Sequence, residues 1–201
     1  SDLHFPGHGD THVDSHRDLP TVDKSLEALR ALELEPFRIA VGQQAPAIMT
    51  AHIVYPALDA EHPATMSHRI LTGLLREEWG YQGVVITDGM DMHAIAGRYG
   101  VGQAAVRALA AGADLVMALG TRETQIETLN ALTEFILSGK ISRTELNTRL
   151  QRVKSLCERF PCQDEVYQTE IADRILMSQA WKKGLTAFGQ PLAPATGSRV
   201  R

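Results

Sequence analysis

The chain has 201 residues, 44% of them hydrophobic, and a formal net charge of -4 at pH 7. The length suits one domain with a small addition, and a slightly acidic chain without a basic patch is not expected to bind nucleic acid. No apolar run approaches the roughly 18 residues that a membrane-spanning helix needs, so we expect no membrane partner. Cys157 and Cys162 indicate neither a disulfide framework nor a zinc site, and they leave a reducing compartment such as the cytoplasm open.

A loop rich in histidine and aspartate comes first along the chain, from residue 4 to residue 16. Pro6, Gly7 and Gly9 interrupt regular structure there, which favours a loop. Histidine titrates near neutral pH, and a neighbouring carboxylate fixes its tautomer and raises its basicity. The pattern is therefore typical of an active-site loop, with the histidines His4, His8, His12 and His16 and the aspartates Asp10 and Asp14.

Within this loop, the tripeptide Asp14-Ser15-His16 carries a possible acid/base pair. In an extended segment, residues i and i+2 project to the same side. Asp14 is then placed to hydrogen-bond His16 and to prepare it as a general acid or base. The same tripeptide is also compatible with a solvated turn.

The alternation of histidine and aspartate leaves a second interpretation of the loop open. Ligands at such spacing can bind zinc or another first-row metal, as in a metal-dependent hydrolase. The candidate ligands are His8, Asp10, His12, Asp14 and His16.

Beyond the loop, strands and helices alternate at about 30 residues per unit, the size of a βαβ repeat. This alternation predicts an α/β fold with a parallel sheet and helices outside it. We expect three complete strands and the stub of a fourth just before His4, about half of a closed eight-stranded barrel. The predicted strands are 47–50, 84–87 and 114–119. The predicted helices begin at caps Asp23, Ser67, and Ser142 and also cover 102–111, 123–137 and 164–187.

Polar side chains follow these strands at their carboxyl ends, where α/β proteins place their sites. Asp88 ends the run Val-Val-Ile-Thr, His52 follows the strand Ala-Ile-Met-Thr, and His4 begins the loop after the strand stub. Asp88 is also compatible with a helix cap or a structural carboxylate. The Gly-Met-Asp-Met that follows it is not typical of a cap, which favours a functional role.

These motifs together resemble glycoside hydrolase family 3, and within it the β-N-acetylhexosaminidases. The resemblance covers about 3–160 and rests on several separated motifs in the family's order. They are HFPGHGDTHVDSHRDLP, IMTAHIVYPALD, GVVITDGMDM and AGADLVMAL. The family has a lysine where this chain has Leu3, so one charged contact to the sugar is expected to be missing.

The resemblance implies the C-terminal half of a TIM barrel and a retaining glycosidase. It implies that Asp88 is the nucleophile, that His16 oriented by Asp14 is the general acid/base, and that His4 binds the sugar's hydroxyls. It implies no cofactor and no metal. The substrate would be a terminal β-linked N-acetylglucosaminide, as in cell-wall fragments.

The resemblance also implies that the first four barrel strands are lacking, and with them part of the sugar pocket. We therefore expect residues 1–160 to be half of the catalytic domain, and 161–201 to be a helical connector and linker toward a further domain. The lacking half barrel is the expected partner, and the chain by itself is expected to be inactive or nearly so. A barrel fragment that serves only as a binding module is the alternative that is not an enzyme.

Overall fold

A computed structural model of the chain describes residues 4–8 and 19–161. All of these except Pro161 belong to the compact unit Ser1–Phe160. Its strands are β1 (His4–Phe5), β2 (Ala47–Thr50), β3 (Val54–Tyr55), β4 (Asp59–Pro63), β5 (Val84–Gly89) and β6 (Leu115–Met117). Its α-helices are α1 (Leu26–Ala31), α2 (Glu35–Gly42), α3 (His93–Tyr99), α4 (Val101–Ala111), α5 (Arg122–Leu137) and α6 (Arg143–Arg159). A 3-10 turn covers Ala64–Met66, and a helix of π type covers Arg69–Glu78.

The main sheet has four strands in the order β1-β2-β5-β6, and every neighbouring pair is parallel. Ile48 of β2 lies beside Val85 of β5, and His4 of β1 lies beside Met49 of β2. The β-branched run at the start of β5 is buried because helices cover the sheet, as a parallel sheet requires. The predicted α/β fold, with three complete strands and a stub, is confirmed.

Two strands differ from their predicted form. Strand β5 continues through Gly89. Asp88 is therefore the second-to-last residue of the strand and does not follow it. Strand β6 is only three residues long and half-buried, where a longer buried strand was predicted. The reason is its position at the end of the sheet, where the part of the chain that the structure describes supplies no further strand.

A hairpin of β3 and β4 was missed, because Asp-Ala-Glu-His-Pro has none of the apolar alternation that marks a strand. Its buried Asp59 accepts a hydrogen bond of 2.6 Å from the hydroxyl of Ser67. Burial alone would raise the pKa of Asp59. The hydrogen bonds from Ser67 and from the N–H groups of Glu61 and His62 outweigh that effect and hold the pKa below its usual value.

The helix caps follow the sequence with one error. Ser25 caps α1 by accepting from the N–H of Ala28, so the predicted cap at Asp23 is wrong. Ser67 accepts from the N–H of Ile70 at the start of the π helix, and Ser142 caps α6 as predicted. Two helices were missed altogether, α2 and the short α3.

The core lies between the sheet and its helices. The apolar face predicted for the π helix is buried, and its side chains are Ile70, Leu71, Leu74 and Leu75. No helix in the described ranges combines the length and the apolar character needed to cross a membrane. The predicted helix 164–187 lies outside the described residues, so the division into 1–160 and 161–201 stays a prediction.

Candidate active site

Three of the polar residues predicted at the strand ends come from neighbouring strands of the sheet. His4 lies in β1, His52 lies two residues after β2, and Asp88 lies near the end of β5. Because these strands are parallel and adjacent, their carboxyl ends bring the three side chains to one edge of the sheet.

The Asp88 carboxylate has two oxygens in different surroundings. Its Oδ1 accepts a hydrogen bond of 2.8 Å from the N–H of Gly89, the next residue along the strand. Its Oδ2 lies 3.4 Å from Nε2 of His4, and 23% of the side chain is exposed. Helix α3 begins five residues later without a side-chain cap, so the alternative of a helix cap at Asp88 is wrong.

His4 faces Asp88 with one ring nitrogen and the protein interior with the other. The side chain is 25% exposed, and its ring meets the His8 ring edge-on at 5.2 Å between centroids. Among the described residues, the buried Nδ1 of His4 has no hydrogen-bond partner. The lack of a partner at Nδ1 fits the tautomer in which the proton is on Nε2. In this tautomer the N–H of His4 is directed toward Asp88.

The backbone just after β1 is held by buried side chains from other elements. Tyr55 of β3 donates its hydroxyl hydrogen to the carbonyl of Gly7, and its burial raises the pKa of that hydroxyl. Gly7 has a φ of 119°, and a Cβ there would lie 3.1 Å from the Cβ of Glu33. Glu33 in turn binds Lys24 at 2.6 Å. The glycine in the His-Phe-Pro-Gly motif is therefore needed for both conformation and space.

His52 and Asp91 complete the polar groups near Asp88. The position of His52 at a strand end was predicted from the sequence, but its contacts to Thr65 and Gly89 were not, because these residues are distant from it along the chain. Asp91 was missed, although it lies in the motif Thr-Asp-Gly-Met-Asp-Met. Its Oδ1 is buried without a hydrogen-bond partner among the described residues, and a Cβ at Gly89 would lie 3.1 Å from it. The absence of a side chain at Gly89 thus leaves room for a second carboxylate.

Two predicted site residues, Asp14 and His16, lie outside the described residues. The same holds for Asp10 and His12 of the alternative metal site. Over the ranges 4–8 and 19–161, no group of three or more histidine, cysteine, aspartate or glutamate side chains is placed to hold a metal ion.

A cavity of about 1030 Å³ lies at the opposite ends of the strands from Asp88. Its walls include Ala45 and Gly83, which come just before β2 and β5, and Arg152 of α6. The strand-end cluster of His4, His52 and Asp88 takes no part in it.

Comparison with known proteins supports the resemblance drawn from the motifs. Residues 1–156 match the family model described as "Glycosyl hydrolase family 3 N terminal domain". The chain is 38% identical to the β-hexosaminidase A of Pseudoalteromonas piscicida over 176 residues. This alignment covers 79% of this chain and 29% of that protein.

Solved structures agree with this assignment. A glycoside hydrolase family 3 β-N-acetylglucosaminidase from Paenibacillus is 47% identical with a TM-score of 0.76, over 78% of this chain and 30% of that one. CbsA from Thermotoga neapolitana is 36% identical with a TM-score of 0.72, over 78% of this chain and 35% of that one. The chain thus spans about a third of the length of the relatives it matches.

The family model covers well over half of the chain, including β1, β2, β5 and β6 with the site at their carboxyl ends. The solved relatives share the fold of the same part. The chain therefore belongs to glycosyl hydrolase family 3.

Proposed function

We propose that this chain carries the nucleophile and the acid/base of a retaining glycosidase that removes terminal β-linked N-acetylglucosamine. The observation that carries the proposal is the Asp88 carboxylate at the end of a central parallel strand. One of its oxygens is held by the N–H of Gly89, and the other is directed toward His4 and is partly open to solvent.

In the first step, Oδ2 of Asp88 attacks the anomeric carbon of the sugar through an oxocarbenium-like transition state. A bond forms between this oxygen and the carbon, and the bond to the leaving oxygen breaks. His16, oriented by Asp14, gives its proton to the leaving oxygen, and the product is a covalent glycosyl-aspartate.

In the second step, water attacks the same carbon from the face that the leaving group vacated. His16 takes a proton from the water, the bond to Asp88 breaks, and the sugar leaves with retained configuration. Two inversions at one carbon give net retention, and cleavage of the bond to Asp88 returns its electron pair to Oδ2 and regenerates the carboxylate. A histidine as acid/base departs from the usual two-carboxylate scheme but performs the same proton transfers.

His4 is the proposed contact to the sugar's hydroxyl groups. Its N–H lies beside Oδ2 of Asp88, so a hydroxyl bound by His4 would hold the anomeric carbon near that oxygen. Positioning of this kind supplies a large part of enzymatic rate enhancement. The substrate assignment comes from relatives named for β-hexosaminidase and β-N-acetylglucosaminidase activity.

We further propose that activity needs the other half of the barrel, which supplies the remaining walls of the sugar pocket. The chain matches about 30% of the Paenibacillus enzyme and of the Pseudoalteromonas enzyme. The partner of the described sheet is then a half barrel with complementary strand edges.

A chimera tests this proposal. The chain replaces the aligned segment of the Paenibacillus β-N-acetylglucosaminidase, and hydrolysis of a chromogenic β-N-acetylglucosaminide is measured. We expect activity in the chimera and little or none in the 201-residue chain alone. Substitution Asp88→Asn should lower the rate of hydrolysis at least about a thousandfold, because it removes the negative charge of the attacking oxygen.

The matched control is Asp23→Asn, at an exposed aspartate that makes no cap. It should leave the rate unchanged. A folded chimera that does not hydrolyse the substrate, or one in which Asp88→Asn retains the rate, would contradict the proposal. The alternative of a metal-dependent hydrolase predicts instead that chelators abolish the activity.

A further inference from the structure

His52 occupies an interior position at the edge of the site. The side chain is only 1% exposed, and both ring nitrogens have partners. Nε2 lies 3.0 Å from the carbonyl oxygen of Gly89, and Nδ1 lies 2.9 Å from the hydroxyl oxygen of Thr65. A carbonyl oxygen only accepts hydrogen bonds, so Nε2 carries a proton and donates it to Gly89.

Thr65 fixes the other side of the His52 ring. It is fully buried in the 3-10 turn after β4. Its hydroxyl oxygen also lies within hydrogen-bond distance of the hydroxyl of Thr50, at 2.9 Å, and of the carbonyl oxygen of Ala51, at 2.8 Å. The ring is therefore held between Thr65 of the 3-10 turn and the carbonyl of Gly89 in β5, and it cannot rotate without breaking both of these hydrogen bonds.

The position of His52 matters because the regular backbone hydrogen bonding of β5 with its neighbouring strands ends before the site. Pairing between β2 and β5 ends at Ile86, and the register between β5 and β6 shifts between Ile86 and Gly89. On the β6 side, the N–H of Met90 still donates to the carbonyl of Met117 at 3.0 Å. On the β2 side, no backbone pairing among the described residues reaches Gly89, and the hydrogen bond from His52 holds its carbonyl instead.

Gly89 connects His52 to the nucleophile. Its carbonyl accepts from His52, and its N–H donates to Oδ1 of Asp88 at 2.8 Å. When Oδ1 is held in this way, Oδ2 is the oxygen left to face His4 and the substrate. The backbone of one glycine thus determines which carboxylate oxygen is presented.

We propose that His52 is a positioning residue of the glycosidase: by holding the carbonyl of Gly89, it restrains the backbone at Gly89, and with it the preceding peptide, whose N–H binds Oδ1 of Asp88 and so leaves Oδ2 to face the sugar. This proposal rests on the proposed function, in which Asp88 is the nucleophile. His52 itself touches neither substrate nor reacting atoms in this scheme.

Four variants, one of them a control, separate positioning from general structural support. His52→Leu removes the donor to Gly89, His52→Gln keeps an N–H donor at similar reach, and His68→Gln changes an exposed histidine as the control. Thr65→Val is a second route to the same effect, because it frees the ring without removing it. Circular dichroism verifies that each variant folds.

The first measurement uses the 201-residue chain and needs no activity. Hydrogen exchange of the Gly89 amide is followed by NMR. In His52→Leu, we expect exchange at Gly89 to be at least about tenfold faster, because the residue loses the hydrogen bond that holds its carbonyl and its backbone opens more readily. His52→Gln should recover most of the protection, and His68→Gln should match the parent.

The second measurement uses the chimera. A displaced nucleophile slows the chemical step more than it weakens sugar binding, so kcat should fall by about 10- to 100-fold in His52→Leu with little change in KM. Thr65→Val should lower kcat in the same direction, and His52→Gln should restore most of it.

The outcomes distinguish this proposal from the proposed function. If the parent chimera hydrolyses the sugar but His52→Leu keeps its kcat, the positioning role is wrong and the glycosidase stands, whatever the exchange at Gly89 shows. Unchanged exchange at Gly89 in His52→Leu also overturns the role. If the folded parent chimera is inactive, the proposed function fails, and faster exchange in His52→Leu still supports the link between His52 and Gly89.

Discussion

The two oxygens of the Asp88 carboxylate have different neighbours: Oδ1 accepts a hydrogen bond from the N–H of Gly89, and Oδ2 faces His4. The position of Asp88 after a run of β-branched residues predicted a strand-end carboxylate, and the structure has it within the last residues of β5. The difference between its two oxygens was not predictable, because it depends on Gly89 bending back toward Oδ1 and on His4 from a strand two positions away in the sheet.

The buried ring of His52 should make the stability of the fold depend on pH. Burial lowers the pKa of the imidazole below the ordinary value of 6.5. The hydrogen bond to the Gly89 carbonyl and the carboxylates of Asp88 and Asp91 act in the opposite direction, and His4 adds to the lowering. In the unfolded chain the ring binds a proton below about pH 6.5, whereas in the folded chain it stays neutral to lower pH. Because the unfolded state then holds more protons, the free energy of unfolding should fall as the pH drops below 6.5.

This prediction is checked by urea unfolding at several pH values between neutral and mildly acid. A pKa difference of one between the folded and unfolded chain corresponds to about 1.4 kcal/mol. The parent and the control His68→Gln should lose more stability on acidification than His52→Gln, which has no ring to protonate. Equal losses in all three proteins would show that His52 is not held neutral by the fold.

At the scale of elements, the strongly periodic segments were predictable and the short ones were not. The buried face of the π helix and the β-branched β5 carry long patterns, so the sequence indicated them. The β3–β4 hairpin is held instead by contacts such as that between Asp59 and Ser67, and α3 is only seven residues long. Neither leaves a local pattern. The loop that carries His16 lies outside the described residues, so its predicted part in the site stays a prediction.

One carboxylate joins three elements of this unit. Asp114, just before β6, is fully buried and binds Arg76 of the π helix at 2.5 Å and Arg152 of α6 at 3.0 Å. It also accepts from the N–H of Val85 in β5 at 2.8 Å. This cluster could not be predicted from local patterns, because its members are about 30 to 40 residues apart along the chain and come together only in the fold.

Removing the charge of Asp114 should therefore destabilise the sheet and its helices together. We expect Asp114→Asn to lower the free energy of unfolding by about 3 kcal/mol or more, since it leaves buried guanidinium groups without their partner. Glu158→Gln breaks the exposed pair with Lys154 and should cost no more than about 0.5 kcal/mol. Chemical denaturation measures both, and equal effects would contradict the structural role given to Asp114.

At the scale of the whole molecule, the described sheet ends in strands β1 and β6. Each pairs on one side only within residues 4–8 and 19–161. Helix α5 adds exposed apolar side chains, Ile126, Leu129 and Leu137. Open strand edges and exposed apolar surface favour pairing with another chain. This arrangement fits a half barrel that needs a complementary half.

The 201-residue chain made by itself should consequently self-associate as its concentration rises. Sedimentation velocity over a wide range of concentration detects this. The N-terminal half barrel of the Paenibacillus relative, added in excess, should suppress the association by covering both edges. A chain that remains monomeric throughout would show that these edges are already protected.

In the proposed mechanism, Asp88 forms the covalent bond to the sugar. The most direct measurement is to treat the active chimera with a fluorinated N-acetylglucosaminide that forms the glycosyl-enzyme but releases it slowly, and to locate the added mass by peptide mapping. We expect one sugar on the peptide that contains Asp88, and none on the Asp88→Asn variant. A sugar attached to any other residue, or complete inactivation without an attached sugar, would show that Asp88 is not the nucleophile.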